Sequence, residues 1–264
     1  MTTKVRDIIK EMEIIAPPFL KESYDNIGLM VGEEEKLVKK VLLALDCTKE
    51  VINEAKENQI DLIITHHPLF FKKPNRIVRE DLQGWKVIEL IKSDISLYSS
   101  HTNLDSAKGG INEKIVKMLG FSHSTLIEKS SIKGYEDSGI GRFIELNEEL
   151  SVEVFIKKIK ESLNIENMRG VIANKSIKRI AIINGSGQDF FGKALALGAD
   201  CIVTGDTSYH FALDYKELGV TILDPGHFST EWIVFLDVMK KLKSKFNDVK
   251  FISSKVSKDP YSFL

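Results

Sequence analysis

Two imidazoles stand side by side at the end of an apolar run, in Leu62-Ile63-Ile64-Thr65-His66-His67-Pro68. Neutral imidazole is the commonest metal-binding side chain, and two in succession can each reach an ion as the chain leaves a strand. As an isolated pair they read first as hydrogen-bonded turn residues. Two further segments change that weighting. His101 and Asp105 lie four apart in HTNLDSAKGGIN, residues 101–112, and His227 and Glu231 lie four apart in GHFSTEW, residues 226–232. At the mouth of a helix, a spacing of four sets His227 and Glu231 on one face within reach of one ion. Asp105 follows His101 in a stretch that reads as loop.

Three imidazoles, from His66, His67 and His227, and two carboxylates, from Asp105 and Glu231, exceed the needs of one catalytic ion. They fit two divalent ions about 3.5–4 Å apart, with a carboxylate bridging and water in the open positions. A water held by two cations loses a proton near neutral pH and becomes a nucleophile. No cysteine joins the set, which disfavours a purely structural zinc site and leaves zinc, iron, manganese and cobalt. His101 is assigned to orienting a ligand or carrying protons rather than to direct ligation. His210 stands between a supporting role and the surface, and His123 reads as surface.

Such a set must be delivered by strand ends, because sites in open α/β sheets gather beyond the carboxyl ends of strands. Leu62–Ile64 reads as a buried strand, and Val41–Asp46 as another, followed by Thr48 as N-cap and a helix burying Val51, Ile52 and Ala55. Strand, helix, strand is a βαβ unit and implies a parallel sheet. Val5, Ile8, Ile9, Met12 and Ile15 predict a first helix stopped by Pro17-Pro18. Leu82, Trp85, Ile88 and Ile91 recur every three residues and predict a helix, and residues 95–98 a strand. Ile111 to Leu119 is a helix closed by Gly120.

Beyond residue 125 the pattern shifts to turns and a β-type run, then a helix from Ser151 with Phe155, Ile159 and Leu163 inward. Strands follow at 180–184, 200–204 and 220–224, with helices at 189–197, 208–218 and 227 to about 245. The tail reads as irregular. The expectation is two α/β lobes, residues 1–125 and 126–264, with mostly parallel, helix-covered sheets. Gly185-Ser186-Gly187 reads as a strand-to-helix turn needing positive φ ahead of a phosphate cradle. Lys72, Lys73, Arg76 and Arg79 can attract an anionic substrate or form a solvated loop.

The bulk numbers set the outer limits. With 264 residues and 43% hydrophobic content the chain has a real core, and 37 basic against 38 acidic residues offer no global attraction to nucleic acid or acidic membrane. No basic stripe with interleaved aromatics is visible, so nucleic acid is the least favoured partner. No signal sequence and no membrane span is readable, which places the protein in the cytoplasm. Cys47 and Cys201 are too isolated for a C-x-x-C and read as reduced core residues.

ITHHPLFF, HTNLDSAKGGIN and GHFSTEW, with SYDNIGLMVG at 23–32 and GADCIVTGD at 198–206, resemble the Nif-three-like family, also named the GTP cyclohydrolase I type 2 homologues. The motifs follow the family's order from residue 23 to 232. The resemblance implies that His66, His67, Asp105, His227 and Glu231 ligate a dinuclear metal centre in a cleft between two α/β lobes. It also implies a ring-shaped homohexamer of the short type, without an inserted domain. Tyr24-Asp25-Asn26 replaces the Trp-Asp-Asn frequent in relatives, Gly205-Asp206 an expected Gly-Glu, and Tyr209-His210 a frequent His pair.

The enzyme name implies opening the imidazole ring of GTP with release of formate, by a dinuclear metal-dependent hydrolase acting on a nucleotide. Two other readings use the same residues. One is a metal-dependent phosphoester hydrolase, and the other a non-enzymatic metal-binding hexamer that docks partner proteins.

Overall fold

The computed structural model describes residues 2–262. Its first helix, α1 (Val5–Ile15), buries Val5, Ile8, Met12 and Ile15, the face that helical spacing selects. Next come β1 (Gly28–Val31), β2 (Lys40–Ala44), α2 (Lys49–Glu57), β3 (Leu62–Thr65), α3 (Leu82–Lys92) and β4 (Ser96–Ser99). Thr48 caps α2 as expected, its side chain accepting from the Val51 amide, and Val51, Ile52 and Ala55 are buried.

These strands form a five-stranded sheet ordered β1-β4-β3-β2 and then a strand from the far end of the chain. β2, β3 and β4 run parallel and β1 is antiparallel at the edge. Parallel strands covered on both faces carry unbroken apolar runs, which is why β3 is buried at every position. Leu42, Ala44, Ile63 and Leu97 pack with the buried faces of α2 and α3.

The helix α3 forms as expected, and its buried face is set by a glycine. Gly84, Val87 and Leu90 are buried, while Leu82 and Ile91 are 54% and 63% exposed. Gly84 decides the rotation, since a Cβ there would lie 2.0 Å from the Val78 carbonyl oxygen. The helix packs on the side where it has no side chain. Leu90→Ala is therefore expected to cost about 2–4 kcal/mol and Ile91→Ala under about 0.5 kcal/mol by chemical denaturation.

The chain continues through α4 (Thr102–Ser106), α5 (Ile111–Met118), β5 (Thr125–Lys129), β6 (Gly139–Ser151), α6 (Val152–Leu163), β7 (Arg169–Val171) and β8 (Ser176–Ser186). It then forms α7 (Phe191–Ala196), β9 (Cys201–Gly205), α8 (Tyr209–Glu217), β10 (Thr221–Asp224), α9 (His227–Lys243) and β11 (Lys250–Ser253). The second sheet is ordered β5-β6-β8-β9-β10-β7. Only β8-β9 and β9-β10 are parallel in it; β5-β6, β6-β8 and β10-β7 are antiparallel. The α/β class stands, and "mostly parallel" describes the first sheet alone. β5 and the long β6 are joined by a loop alone and pair antiparallel, which needs no crossover helix, whereas α6 and β7 stand between β6 and β8. Ala181, Ile183, Ile202 and Ile222 form one face of this sheet's core with Phe191 and Ala194 of α7.

Among the described residues the chain divides into two compact units. One takes the residues up to Leu104 with Phe235–Lys258, and the other Asp105–Val234 with the residues from Asp259 on. This differs from the expected lobes 1–125 and 126–264. The break falls earlier because α5 packs against β6 and β8. The chain returns to the first unit because β11, in the tail expected to be irregular, pairs in parallel with β2, Phe251 opposite Val41.

The two units share a local design. β2 and β3, joined by α2, are parallel neighbours, as are β9 and β10, joined by α8. In each βαβ unit an aspartate follows the first strand and a histidine follows the second, Asp46 with His67 and Asp206 with His227. Cys47 and Cys201 are buried free thiols, and burial pushes the Cys47 pKa up to about 12 and that of Cys201 up as well. No helix among the described residues is long and apolar enough to cross a membrane.

Candidate metal centre

In the first unit, β3 ends at Thr65 and delivers His66 and His67, while β4 ends at Ser99 and delivers His101. Neighbouring parallel strands end level, so the three rings meet. Their centroids lie 5.1 Å apart for His66–His67, 5.2 Å for His66–His101 and 5.4 Å for His67–His101. One ligand atom from each lies within 4.8 Å of the others, a grouping that can hold a metal ion. His101, expected to orient or to carry protons, thus stands inside the donor group.

Each ring is anchored through Nδ1. His66 Nδ1 is 2.9 Å from the Ser100 carbonyl oxygen, His67 Nδ1 2.9 Å from Asp46 Oδ1, and His101 Nδ1 2.9 Å from Asp25 Oδ1. An oxygen acceptor at Nδ1 places the proton there and the ring's lone pair on Nε2, the arrangement common among metal-bound histidines.

Asp25 follows the turn at residues 23–24 and does electrostatic work. Its carboxylate is buried and accepts from the Thr102 amide at 3.0 Å and the Thr102 hydroxyl at 2.5 Å, besides facing His101. Burial pushes its pKa up, but the hydrogen bond and charge of His101 and the Thr102 donors outweigh that and hold it well below the usual carboxylate range. The stability this contributes is present in full above the unfolded value near 3.9 and lost as pH falls through it toward the native value. Asp25→Asn should cost about 2–4 kcal/mol at pH 6. In urea titrations of metal-free protein, the gap from the parent should narrow below about pH 4. A gap constant down to pH 3 would contradict the ionised carboxylate.

In the second unit, Asp105 lies in the short helix α4, not in a loop, and is 8% exposed; Glu231 lies one turn into α9 and is 2% exposed. Asn184, on β8, joins them. Its Nδ2 donates to Asp105 Oδ1 at 2.9 Å and to Glu231 Oε1 at 3.0 Å. His227 Nε2 is 3.0 Å from Glu231 Oε2, as the i,i+4 spacing predicts, and His227 Nδ1 is 2.7 Å from Asp206 Oδ2. Ligands about 2.1 Å from one metal at right angles lie about 3 Å apart, so the His227–Glu231 pair already has chelating geometry. Asp206 adopts a positive φ of 52°, a strained conformation that aspartate tolerates and that turns its carboxylate to the ring.

Sequence reasoning missed Asn184 and the histidine anchors Asp46 and Asp206. The two aspartates had a signal, since each directly follows a buried strand and precedes its partner histidine by one βαβ unit. Asn184 had none beyond its strand-end position. Asn112 was missed too; its Oδ1 accepts from the Asn184 amide at 3.0 Å and its Nδ2 donates to the Asp105 carbonyl oxygen at 3.2 Å.

The other sequence candidates lie elsewhere. His210 is exposed at the start of α8, its ring 5.3 Å from that of Tyr209, and His123 is exposed. Arg76 is paired with Asp81 and Arg79 with Glu89, so two of the four basic residues after the His-His turn are already engaged. Gly185 has the expected positive φ of 55°. Its amide donates to Thr230 Oγ1 and that of Gly187 donates to the Gly185 carbonyl, so this is a turn and not a phosphate cradle.

The profile of the Duf34/NIF3 family, NGG1p interacting factor 3, matches residues 3–260. A Clostridium perfringens protein named GTP cyclohydrolase 1 type 2 homolog is 54% identical over 263 residues, covering 99% of this chain and 100% of that one. The Drosophila melanogaster NIF3-like protein 1 is 32% identical, covering 97% of this chain and 88% of its own. Among solved structures, a hypothetical protein of Staphylococcus aureus superposes with a TM-score of 0.89 at 33% identity, over 100% of both chains. Reduced HcgD from Methanocaldococcus jannaschii does so with 0.84 at 30% identity, over 96% of this chain and 98% of its own. With a profile match across nearly its whole length, the chain belongs to the Duf34/NIF3 family.

Proposed function

We propose that this chain is a metal-dependent hydrolase that opens the imidazole ring of GTP and releases formate. In this reading His66, His67, Asp105, His227 and Glu231 hold two divalent ions, which can be zinc, iron, manganese or cobalt. The observation that carries it is the anchoring of His66, His67 and His227 through Nδ1 to an oxygen, which assigns metal ligation to Nε2. The printed name of the Clostridium perfringens relative supports GTP as the substrate to test first.

Bound there, the ions would supply a nucleophilic hydroxide at neutral pH and an electrophile for the substrate. The chain's own groups do the rest. Asp25 fixes the His101 ring at Nδ1, so His101 exchanges protons at Nε2 beside His66 and His67. Asn184 keeps the Asp105 and Glu231 carboxylates turned toward one another. A homohexamer and a cytoplasmic location complete the proposal.

The test is incubation of metal-loaded protein with GTP, following formate and pterin products, with chelated protein as control. Metal-dependent formate release is the expected result. Metal-dependent phosphate release without formate would replace GTP ring opening by phosphoester hydrolysis. Tight metal uptake with no turnover would leave a metal-binding interaction protein.

A further inference from the structure

The His227 ring is oriented by Asp206, and the two residues come from different segments, the end of β9 and the start of α9. Gly205 lets these segments touch, since a Cβ on it would lie 2.8 Å from both the amide nitrogen and the Cα of His227. Contact alone does not fix their register. Asp224, the last residue of β10 and 2% exposed, meets both segments with one carboxylate. Its Oδ2 accepts from the amide of Thr207, the neighbour of Asp206, at 3.0 Å. Its Oδ1 accepts from the amide of Gly226, the neighbour of His227, also at 3.0 Å.

The carboxylate is itself held. Arg169 lies opposite Asp224 where β7 pairs with β10, and brings Nε and Nη2 to Oδ2, both at 2.8 Å. A buried carboxylate needs such a partner, and four N–H groups on its two oxygens fix its rotation. In the first unit the backbone ties the corresponding pair, for the His67 amide donates to the carbonyl oxygen of Leu45, the neighbour of Asp46, at 3.0 Å. In the second unit a side chain does this, so substitution can remove it.

We propose that Asp224 is a positioning residue of the metal centre. It sets the Asp206–His227 pair so that Nε2 of His227 faces the ion, and Arg169 keeps the Asp224 carboxylate in place. The inference rests on reading His227 as a metal ligand, and it assigns Asp224 no contact with the ion.

Zinc affinity of the full chain, read by competition with a chromophoric chelator, tests it, with the urea midpoint of the metal-free protein recorded for every variant. Asp224→Asn keeps the shape and one acceptor oxygen and should weaken zinc binding about tenfold, while Asp206→Ala should do so by about 10–100-fold. Once Asp206 is gone, the placement of its segment no longer matters to the ring. In the Asp206→Ala background Asp224→Asn should therefore cost less than about twofold in affinity, although its effect on the urea midpoint persists. Arg169→Ala removes two of the four donors from an exposed position and should lower affinity about threefold. If Asp224→Asn does not fold, Arg169→Ala takes its place in the cycle. Parent-like zinc affinity in the folded variant, whatever its urea midpoint, would overturn the inference, as would an equal fold-loss in both backgrounds. His227→Ala separates this from the wider reading. If it too binds zinc like the parent, His227 is no ligand and both fall; if it loses affinity while Asp224→Asn does not, only the positioning role falls.

Discussion

Glu231→Ala is expected to lower divalent-metal affinity more than about 100-fold while the metal-free protein stays as stable as the parent. Loss of a group that merely orients a ligand weakens metal binding about 10–100-fold, and losing a ligand should exceed that. The stability half of the prediction follows from the carboxylate pair. Asp105 and Glu231 both accept from the single Asn184 amide nitrogen, and both are buried. Without a cation two such carboxylates repel one another, so deleting one relieves strain that offsets the lost hydrogen bond. With metal the comparison reverses. The parent gains about 2.7 kcal/mol when the free ion is at 100 times its Kd, and the variant gains little. Melting curves with chelator and with added metal, alongside elemental analysis, separate the two halves. Equal metal content and an equal metal-induced rise in Tm would remove Glu231 from the ligand set.

Gly185→Ala should damage the same centre by a different route. The backbone there has φ of 55°, which costs a residue with a Cβ about 1–2 kcal/mol. The added Cβ would also stand 2.3 Å from Glu231 Oε1 and 3.4 Å from His227 Cε1. A glutamate tip usually swings aside cheaply, but this one is buried and held by Asn184. The expected result is a stability loss of about 1–3 kcal/mol with metal affinity reduced at least about tenfold. Gly219→Ala is the control, because Gly219 has φ of 79° and nothing within 4 Å of its Cβ position. It should show the backbone cost and no change in metal binding. Equal metal affinity in Gly185→Ala and the parent would mean that Glu231 yields freely and that the glycine serves the turn alone.

The elements legible in the sequence were those whose burial pattern matches their period. α1 and α6 bury their helical rows although Ile14 and Val154 are exposed, and the segments carrying His66, His67 and His227 follow strands that are buried throughout. α3 was legible as a helix but not in the face it buries, because Leu82, Trp85, Ile88 and Ile91 form a better apolar row than Gly84, Val87 and Leu90. A glycine that lets two backbones touch is invisible to hydropathy. β11 was missed because only Phe251 is buried in it and charged Lys250 opens it, the usual disguise of an edge strand. The candidate ligands stood out in the sequence by residue type and spacing, while the residues that hold them stood only at turn and strand-end positions. Asn184 shows why. Its work is to touch two carboxylates far away in sequence, and no local pattern encodes that.

The pairing of β11 with β2 sets a timetable for synthesis. Residues 40–44 leave the ribosome roughly two hundred residues before Lys250–Ser253, so one margin of the first sheet waits with bare backbone donors and acceptors until that segment has been made. Long-range parallel pairing of this kind is slow to form. A nascent chain stalled before residue 250 should therefore be more prone to misassociation than one that carries β11, and the His66-His67 corner should mature only after β11 has docked.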